Sequence, residues 1–334
     1  MESRYAIGRL GRYVLRCILF ALTAAGLAEF GTLLDAKAQS QAVTILTGGD
    51  AAYTPIFVAS DKGYFKNEGL DVSIRMFPSG TDAMLAFRSV GAPFLAAGDV
   101  PSLVLWEGPD VVGIAPFYAT PDNLLGIVRA DIRNPADLKG KKIATRKGST
   151  AEYFLTTYLT KNGINPADVN IINLGPEENA PALLAGNIDG FFIWGPYPAL
   201  ALKIMGDKAR VLTTARGYYL EQLYLTANRN FAQANPDTVV KVLKAIQIAN
   251  EHIRSNPNDS AEIVARRTKG ALDVVSSVIQ IKPFSLQFGP ENREQLSKLI
   301  EFLRSNGKLK TLASVDQALD TRYLKSLDAG LVPQ

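Results

Sequence analysis

The alternation of two kinds of segment between Ala42 and Asn228 limits the possible folds more than any other feature. Short apolar or β-branched runs are separated by longer segments whose apolar residues have helical spacing. This alternation is typical of α/β proteins with largely parallel strands. It predicts strands at 43–47, 70–77, 111–116, 123–128, 142–145, 169–174, 189–194 and 223–227. It predicts helices at 54–62, 82–89, 151–162, 180–185 and 196–205.

After Asn228 the alternation stops. The remaining chain predicts helices at 236–255, 260–267, 272–280 and 290–305, with no clear strand among them. This block is too apolar to stand alone, so we expect it to pack on a lobe formed earlier in the chain. With 334 residues, 47% of them hydrophobic, the chain can fill one large core or two of medium size.

The N-terminus has the order of charges and apolar residues found in secretory signal peptides. Four arginines precede an apolar stretch at 17–28, and Ala36-Lys37-Ala38 offers small residues for cleavage. The apolar stretch is shorter than the roughly 20 residues that a membrane span needs. The sequence therefore predicts a signal peptide over 1–38 and an exported, periplasmic protein, with a membrane anchor as the alternative.

Cysteine and charge limit the possible chemistry. Cys17 lies before the apolar stretch, whereas a lipid-attachment cysteine would follow it, and the chain has no other cysteine. The exported protein would therefore have no disulfide and no thiolate metal site. Of the net charge of +4, the first 38 residues contribute +2, and the near balance of the rest argues against a nucleic-acid partner.

The sequence also argues against catalysis, cofactors and metals. The sole histidine, His252, falls inside a predicted helix, and a second histidine for zinc is missing. A Gly-x-Ser-x-Gly elbow for a serine nucleophile does not occur either. We therefore predict a protein that is not an enzyme and that has no metal or cofactor.

Two turns rich in small polar residues open predicted helices. Ser79, Gly80 and Thr81 precede the helix at 82–89, and Gly148, Ser149 and Thr150 precede the helix at 151–162. Backbone N–H groups and hydroxyls at a helix start can bind an anion or polar group, although such residues also serve as plain caps. Because ligands of open α/β sheets lie at the carboxyl ends of strands, we expect the two turns to face one cleft.

Aromatic residues occur at two further strand ends. Tyr53 lies in the glycine-containing segment 47–55, which lacks the pattern of a nucleotide phosphate loop. Trp194 ends the predicted strand at 189–194, and Tyr197 follows Pro196. These aromatic side chains are predicted either to form a cleft wall or to belong to the core.

Several segments, in this order, resemble those of the nitrate, sulfonate and taurine binding proteins of bacterial importers, a group that includes thiamine-pyrimidine binders. The resemblance lies in residues 61–72, the turn at 77–82, residues 137–150 and residues 181–197. The last segment looks most like aliphatic sulfonate binders, in which an Ile-Trp pair precedes Pro-Tyr. Gly195 departs from that pattern, because the position usually holds an acidic residue.

The resemblance implies an α/β type II periplasmic-binding-protein fold, with two lobes of mixed, mostly parallel sheets joined by two crossovers. We expect the first lobe at 41–129, with 223–334 packing on it, and the second lobe at 130–222. The implied protein is a periplasmic monomer that delivers a small organic anion to the membrane subunits of an ABC transporter.

The ligand class and the binding residues follow from the same resemblance and from the turns. The first expectation is an aliphatic sulfonate or a taurine-like compound. The alternatives are nitrate, an aromatic carboxylate held by Arg146, and a thiamine-type pyrimidine. An enzyme on the same fold, a hydrolase or a pyrimidine synthase, is the alternative of a different class. The predicted ligand-binding residues are Tyr53, Ser79, Gly80, Thr81, Gly148, Ser149, Thr150, Trp194 and Tyr197.

Overall fold

The structure is a computed structural model that describes residues 40–281 and 283–333. The predicted signal peptide at 1–38 lies outside the described residues. From Gln41 onward the chain forms one compact unit. Among the helices of the described part, none has the length and apolar content needed to cross a membrane.

Ten strands are present among the described residues. In chain order they are β1 (Gln41–Gly48), β2 (Leu70–Phe77), β3 (Phe94–Gly98), β4 (Val111–Thr120), β5 (Leu124–Arg129), β6 (Lys142–Thr145), β7 (Asn170–Asn173), β8 (Gly190–Trp194), β9 (Ala209–Thr214) and β10 (Glu221–Asn228).

The helices of the described residues surround these strands. They are α1 (Thr54–Asp61), α2 (Tyr64–Asn67), α3 (Gly80–Val90), α4 (Asp99–Trp106), α5 (Thr150–Lys161), α6 (Asn179–Leu184), α7 (Tyr197–Met205), α8 (Arg229–Ala234), α9 (Pro236–Ser255), α10 (Pro257–Thr268), α11 (Leu272–Gln280), α12 (Pro290–Ser305), α13 (Val315–Ala318) and α14 (Arg322–Leu327).

The strands form two mixed sheets of five, one in each lobe. The first sheet has the order β2-β1-β3-β10-β4, and the second has the order β7-β6-β8-β5-β9. In the first sheet β1 runs parallel to β2 and β3, whereas β10 runs antiparallel to its neighbours. In the second sheet β6 runs parallel to β7 and β8, whereas β5 is antiparallel to β8 and β9. This is the predicted α/β fold with two crossovers.

The chain crosses between the sheets twice, first between β4 and β5 and again between β9 and β10. Strand β5 hydrogen-bonds within the second sheet, although the predicted lobe boundary at 129 placed it with the first. Helix α9 packs on α1 and α2 of the first lobe. Helix α12 also reaches the second lobe, because the Phe302 ring meets Tyr153 edge-on with centroids 4.8 Å apart.

Three elements, β3, α4 and β9, were not predicted from the sequence. Ala97 and Gly98 end β3, and α4 begins directly after them at Asp99. Small residues have low strand propensity, yet β3 is fully buried between β1 and β10. Pairing on both sides therefore determines its conformation more than propensity does.

Candidate ligand-binding cleft

The two lobes enclose a small cavity where the carboxyl ends of strands from both sheets face each other. Strands β1 and β2 pair in parallel from Gln41 and Leu70 to Gly48 and Phe77, so the loops that follow them begin side by side. The cavity has a volume of about 30 Å³. It is lined by Asp50, Ala52, Tyr53, Gly80, Thr81, Gly98, Pro101, Asn123, Ser149, Thr150, Trp194, Glu221 and Leu223.

The first-lobe turn, residues 79–82, combines a satisfied cap with an unpartnered hydroxyl. Ser79 caps α3: its Oγ accepts from the Asp82 N–H at 3.2 Å and donates to Asp82 Oδ2 at 2.5 Å. Ser79 is therefore occupied by capping and does not line the cavity. Thr81 does line it, and its Oγ1 is buried with no hydrogen-bond partner among the described residues. Gly80 leaves room for Tyr53, because a methyl group at position 80 would clash with the Tyr53 hydroxyl.

The second-lobe turn, residues 148–151, is more fully hydrogen-bonded. The Gly148 N–H donates to the Glu152 carboxylate at 2.7 Å, and Gly148 is not a lining residue. Ser149 caps α5 by accepting from the Ala151 N–H at 3.2 Å, and its hydroxyl donates to a backbone carbonyl oxygen at 2.6 Å. Thr150 Oγ1 donates to Glu221 Oε1 at 3.0 Å.

The predicted aromatic residues occupy different positions. Tyr53 and Trp194 are buried and line the cavity from opposite lobes. The Trp194 indole N–H has no hydrogen-bond partner among the described residues, although it is close enough to Asp50 to lower the pKa of that carboxyl. Tyr197 begins α7 outside the lining, and burial together with the charges of Asp50 and Glu177 raises its pKa.

Six of the nine predicted residues thus meet at the cavity, and Ser79, Gly148 and Tyr197 lie beside it. Their contact with a ligand stays a prediction.

Two buried carboxyl groups at the cavity were not predicted. Asp50 Oδ1 accepts from the Ala52 N–H at 2.8 Å. Glu221 accepts from Thr150 through Oε1 and from Asn123 Nδ2, at 2.9 Å, through Oε2. Burial raises the pKa of Asp50 to about 7, although the hydrogen bond from the Ala52 N–H acts to lower it. Burial raises the pKa of Glu221 to about 8, although the hydrogen bonds from Asn123 and Thr150 act to lower it. The nearby charge of Asp50 adds to the rise.

The sequence held weak signals for these residues. Asp50 follows two glycines after β1, in the segment that also contains Tyr53. Glu221 precedes the predicted start of the last strand, whereas β10 already begins at Glu221 and is buried from that residue on.

A third buried carboxyl, that of Asp99, lies behind the cavity at the start of α4. It accepts from the Tyr219 hydroxyl and from the Val100 N–H, the latter at 2.7 Å. Burial raises the pKa of Asp99 to about 7, against the opposing effect of the Tyr219 hydroxyl. Because Tyr219 belongs to the second crossover, this contact ties the crossover to the first lobe.

Two further contacts join the lobes at the cleft, besides the bond from Thr150 to Glu221. Arg146, considered above as a carboxylate-binding residue, pairs with Asp82 of the first-lobe turn and does not line the cavity. Gly98 faces Thr150 so closely that a methyl group at position 98 would lie 2.7 Å from Thr150 Cγ2. The lobes are therefore in direct contact around the cavity.

His252 lies in α9, away from the cavity. Its ring nitrogens contact the Tyr64 hydroxyl at 3.0 Å and Asp259 Oδ2 at 2.7 Å. Within residues 40–281 and 283–333, no group of three His, Cys, Asp or Glu side chains is placed to hold a metal ion.

Comparisons with known proteins agree with this architecture. The family model described as NMT1/THI5 like matches residues 50–260. A putative aliphatic sulfonates-binding protein of Bacillus subtilis is 30% identical over 265 residues, covering 76% of each chain. The taurine-binding periplasmic protein of Escherichia coli is 30% identical over 246 residues, covering 68% of this chain and 73% of its own.

A solved structure shares the fold. The alkanesulfonate-binding protein SsuA from Xanthomonas axonopodis pv. citri, bound to MOPS, superposes with a TM-score of 0.73 at 23% identity. The match covers 83% of this chain and 97% of that one. The family model and the B. subtilis relative, together with the fold, lead to one conclusion: the chain belongs to the NMT1/THI5-like family.

Proposed function

We propose that this protein is a periplasmic solute-binding protein that delivers a small organosulfur compound, an aliphatic sulfonate or a taurine-like molecule, to an ABC importer. The observation that carries the proposal is the cavity between the lobes, into which Thr81 and Trp194 bring polar groups that have no hydrogen-bond partner among the described residues. Buried polar groups are normally hydrogen-bonded, so unpartnered ones in a cleft favour a ligand with acceptor oxygens. A sulfonate has three such oxygens.

The named relatives support this ligand class. The B. subtilis and E. coli relatives are described as binding aliphatic sulfonates and taurine. Ligand binding in such a cleft is coupled to hinge motion of the two lobes, and the closed form would dock on the importer's membrane subunits as a monomer. Export would remove residues 1–38. The chain would cross from the first lobe to the second near residue 121 and return near residue 220.

Binding without turnover is part of the proposal. The sole histidine of the chain does not line the cavity, and the sole cysteine falls within the predicted signal peptide. Asp50 and Glu221 are the candidate acid and base for an enzyme on this fold, so catalysis by these two groups is the second function to test.

The test is a thermal-shift screen of the purified protein against alkanesulfonates, taurine, nitrate, aromatic carboxylates and aminopyrimidines. A ligand present at about 100 times its dissociation constant adds about 2.7 kcal/mol to the free energy of unfolding. We expect a clear rise in melting temperature with the sulfonates, and we expect NMR to recover the ligand unchanged after prolonged incubation. Stabilisation by another class alone would contradict the sulfonate assignment, and consumption of the ligand would contradict the binding role.

A further inference from the structure

The cavity contains acidic groups but no basic ones. Asp50 and Glu221 are 7% and 3% exposed, and the lining that the described residues form contains no Lys, Arg or His. Arg146, which could have supplied a positive charge, is paired with Asp82 instead. Burial raises the pKa of both carboxyl groups, and a plain anion entering this site would lose its hydration without gaining a cationic side chain as partner.

The bonds of the two carboxyl groups leave acceptor sites on them. Glu221 receives one neutral donor on each oxygen, from Thr150 and from Asn123. Asp50 receives the Ala52 N–H on Oδ1. Because an ionised carboxylate has about four lone-pair sites, each group can accept a further donor from a ligand.

Two other groups in the same cavity need different partners. Thr81 and Trp194 are each 6% exposed, and their Oγ1 and Nε1 atoms lack partners among the described residues. The indole N–H can only donate, so it requires an acceptor atom, which a ligand can supply beside the nearby Asp50 carboxyl. The cavity thus offers acceptors for one part of a ligand and donors for another.

We propose that Asp50 and Glu221 recognise a cationic nitrogen of the ligand, so that the cleft selects a small zwitterion over a plain anion of the same size. This inference rests on the proposed binding function and specifies its ligand class. An ammonium group beside them would lower the pKa of both carboxyl groups, so that they ionise and form charge-assisted hydrogen bonds with it, which are stronger than bonds between neutral groups. The acidic part of the zwitterion would then meet Thr81 and Trp194.

The experiment is isothermal titration of three two-carbon sulfonates that differ at one end: taurine has an ammonium group, isethionate a hydroxyl, and ethanesulfonate neither. Removing one partner of a buried charge pair costs enough to predict at least about 30-fold tighter binding of taurine than of ethanesulfonate. Isethionate should lie between them. Equal affinities for taurine and ethanesulfonate would overturn the inference while leaving the proposed function intact.

Substitutions test which residues cause the preference for taurine. Asp50→Asn and Glu221→Gln keep the shape of each side chain. The double variant should bind taurine no more than about threefold more tightly than ethanesulfonate, and each single variant should lose part of the preference. Asp99→Asn is the matched control, since Asp99 is equally buried but does not line the cavity. It should keep the full preference. A double variant that still prefers taurine as strongly as the wild type would contradict the assignment, provided that its melting curve shows a folded protein.

A complete lack of binding by all three sulfonates would count against the proposed function, not the inference. The same comparison is then made between β-alanine and propionate, which share a carboxylate and differ in the ammonium group. A preference for β-alanine would uphold recognition of the nitrogen. Equal binding, or binding of neither, would overturn it.

Discussion

The first-lobe turn (79–82) and the second-lobe turn (148–151) each place a serine and a threonine at the start of a helix, on opposite sides of one cavity. In both turns the serine caps its helix. The threonines differ: Thr150 donates to Glu221 at 3.0 Å, whereas Thr81 Oγ1 has no partner among the described residues. The second turn is therefore stabilised within the protein, and the first turn retains capacity for a ligand.

This difference shows that a helix-start motif by itself does not make a binding site. The capacity for a ligand depends on what the opposite lobe supplies. Glu221 satisfies Thr150, while no side chain of the described part satisfies Thr81.

The largest effect is expected from pH, because Glu221, the partner of Thr150, is titratable. The pKa values of Asp50 and Asp99 rise from 3.8 to about 7, and that of Glu221 rises from 4.5 to about 8. The folded state therefore holds protons that the unfolded state has lost, so stability falls as pH rises from about 5 to 8. Calorimetry should show a falling melting temperature over this range and a shallower fall in Glu221→Gln. A melting temperature that rises with pH would contradict the raised pKa values of these three carboxyl groups.

The close approach of Gly98 to Thr150 gives the next largest effect. In Gly98→Ala the new methyl group would lie 2.7 Å from Thr150 Cγ2 and should oppose closure of the lobes. Overpacking typically costs about 1–3 kcal/mol, which corresponds to a loss of about 5- to 150-fold in ligand affinity by titration. Adding Thr150→Ser removes Cγ2 but keeps the hydroxyl, so the double variant should recover affinity. Failure of this rescue would show that the contact does not limit closure.

The two threonines should differ in stability when replaced by valine. Thr150→Val leaves a Glu221 oxygen without its donor and should lower the free energy of unfolding by about 1–3 kcal/mol. Thr81→Val removes a hydroxyl that has no partner in the described part of the chain, so the change should stay within about 0.5 kcal/mol. Urea unfolding of both variants at pH 6 measures the contrast. Equal losses would mean that the turns are equivalent.

The smallest effect concerns the ligand affinity of Thr81→Val. If Thr81 donates to the ligand, losing one hydrogen bond of about 0.5–1.5 kcal/mol should weaken binding about 2- to 12-fold. Thr81→Ser keeps the hydroxyl and is the control, with affinity near that of the wild type. Unchanged titration curves for Thr81→Val would remove this residue from the site.

Local patterns predicted much of this structure. The strands at 70–77 and 142–145 and the helices at 236–255, 272–280 and 290–305 have the expected limits, because their apolar periodicity agrees with their burial. Thr81, Ser149, Thr150 and Trp194 were predicted at the cleft because each lies where a strand gives way to a helix.

The site residues that local sequence patterns do not predict depend on long-range contacts. Asp50 follows a strand but offers no local pattern that predicts a buried carboxyl. Glu221 becomes buried only when β10 inserts between β3 and β4, far from it in sequence. Arg146 illustrates the same limit, because its partner Asp82 is 64 residues away. Carboxyl groups buried by tertiary contacts therefore determine the chemistry of this cleft more than the helix-start motifs do.

The central claim is that a ligand binds between the lobes, with its two ends held by different sets of side chains. The most direct measurement is a crystal structure of the protein with taurine. We expect the sulfonate oxygens within hydrogen-bond distance of Thr81 Oγ1 and Trp194 Nε1, and the ammonium group beside Asp50 and Glu221. Taurine bound outside the cleft, or bound inside it with the ammonium group turned away from both carboxylates, would contradict the account.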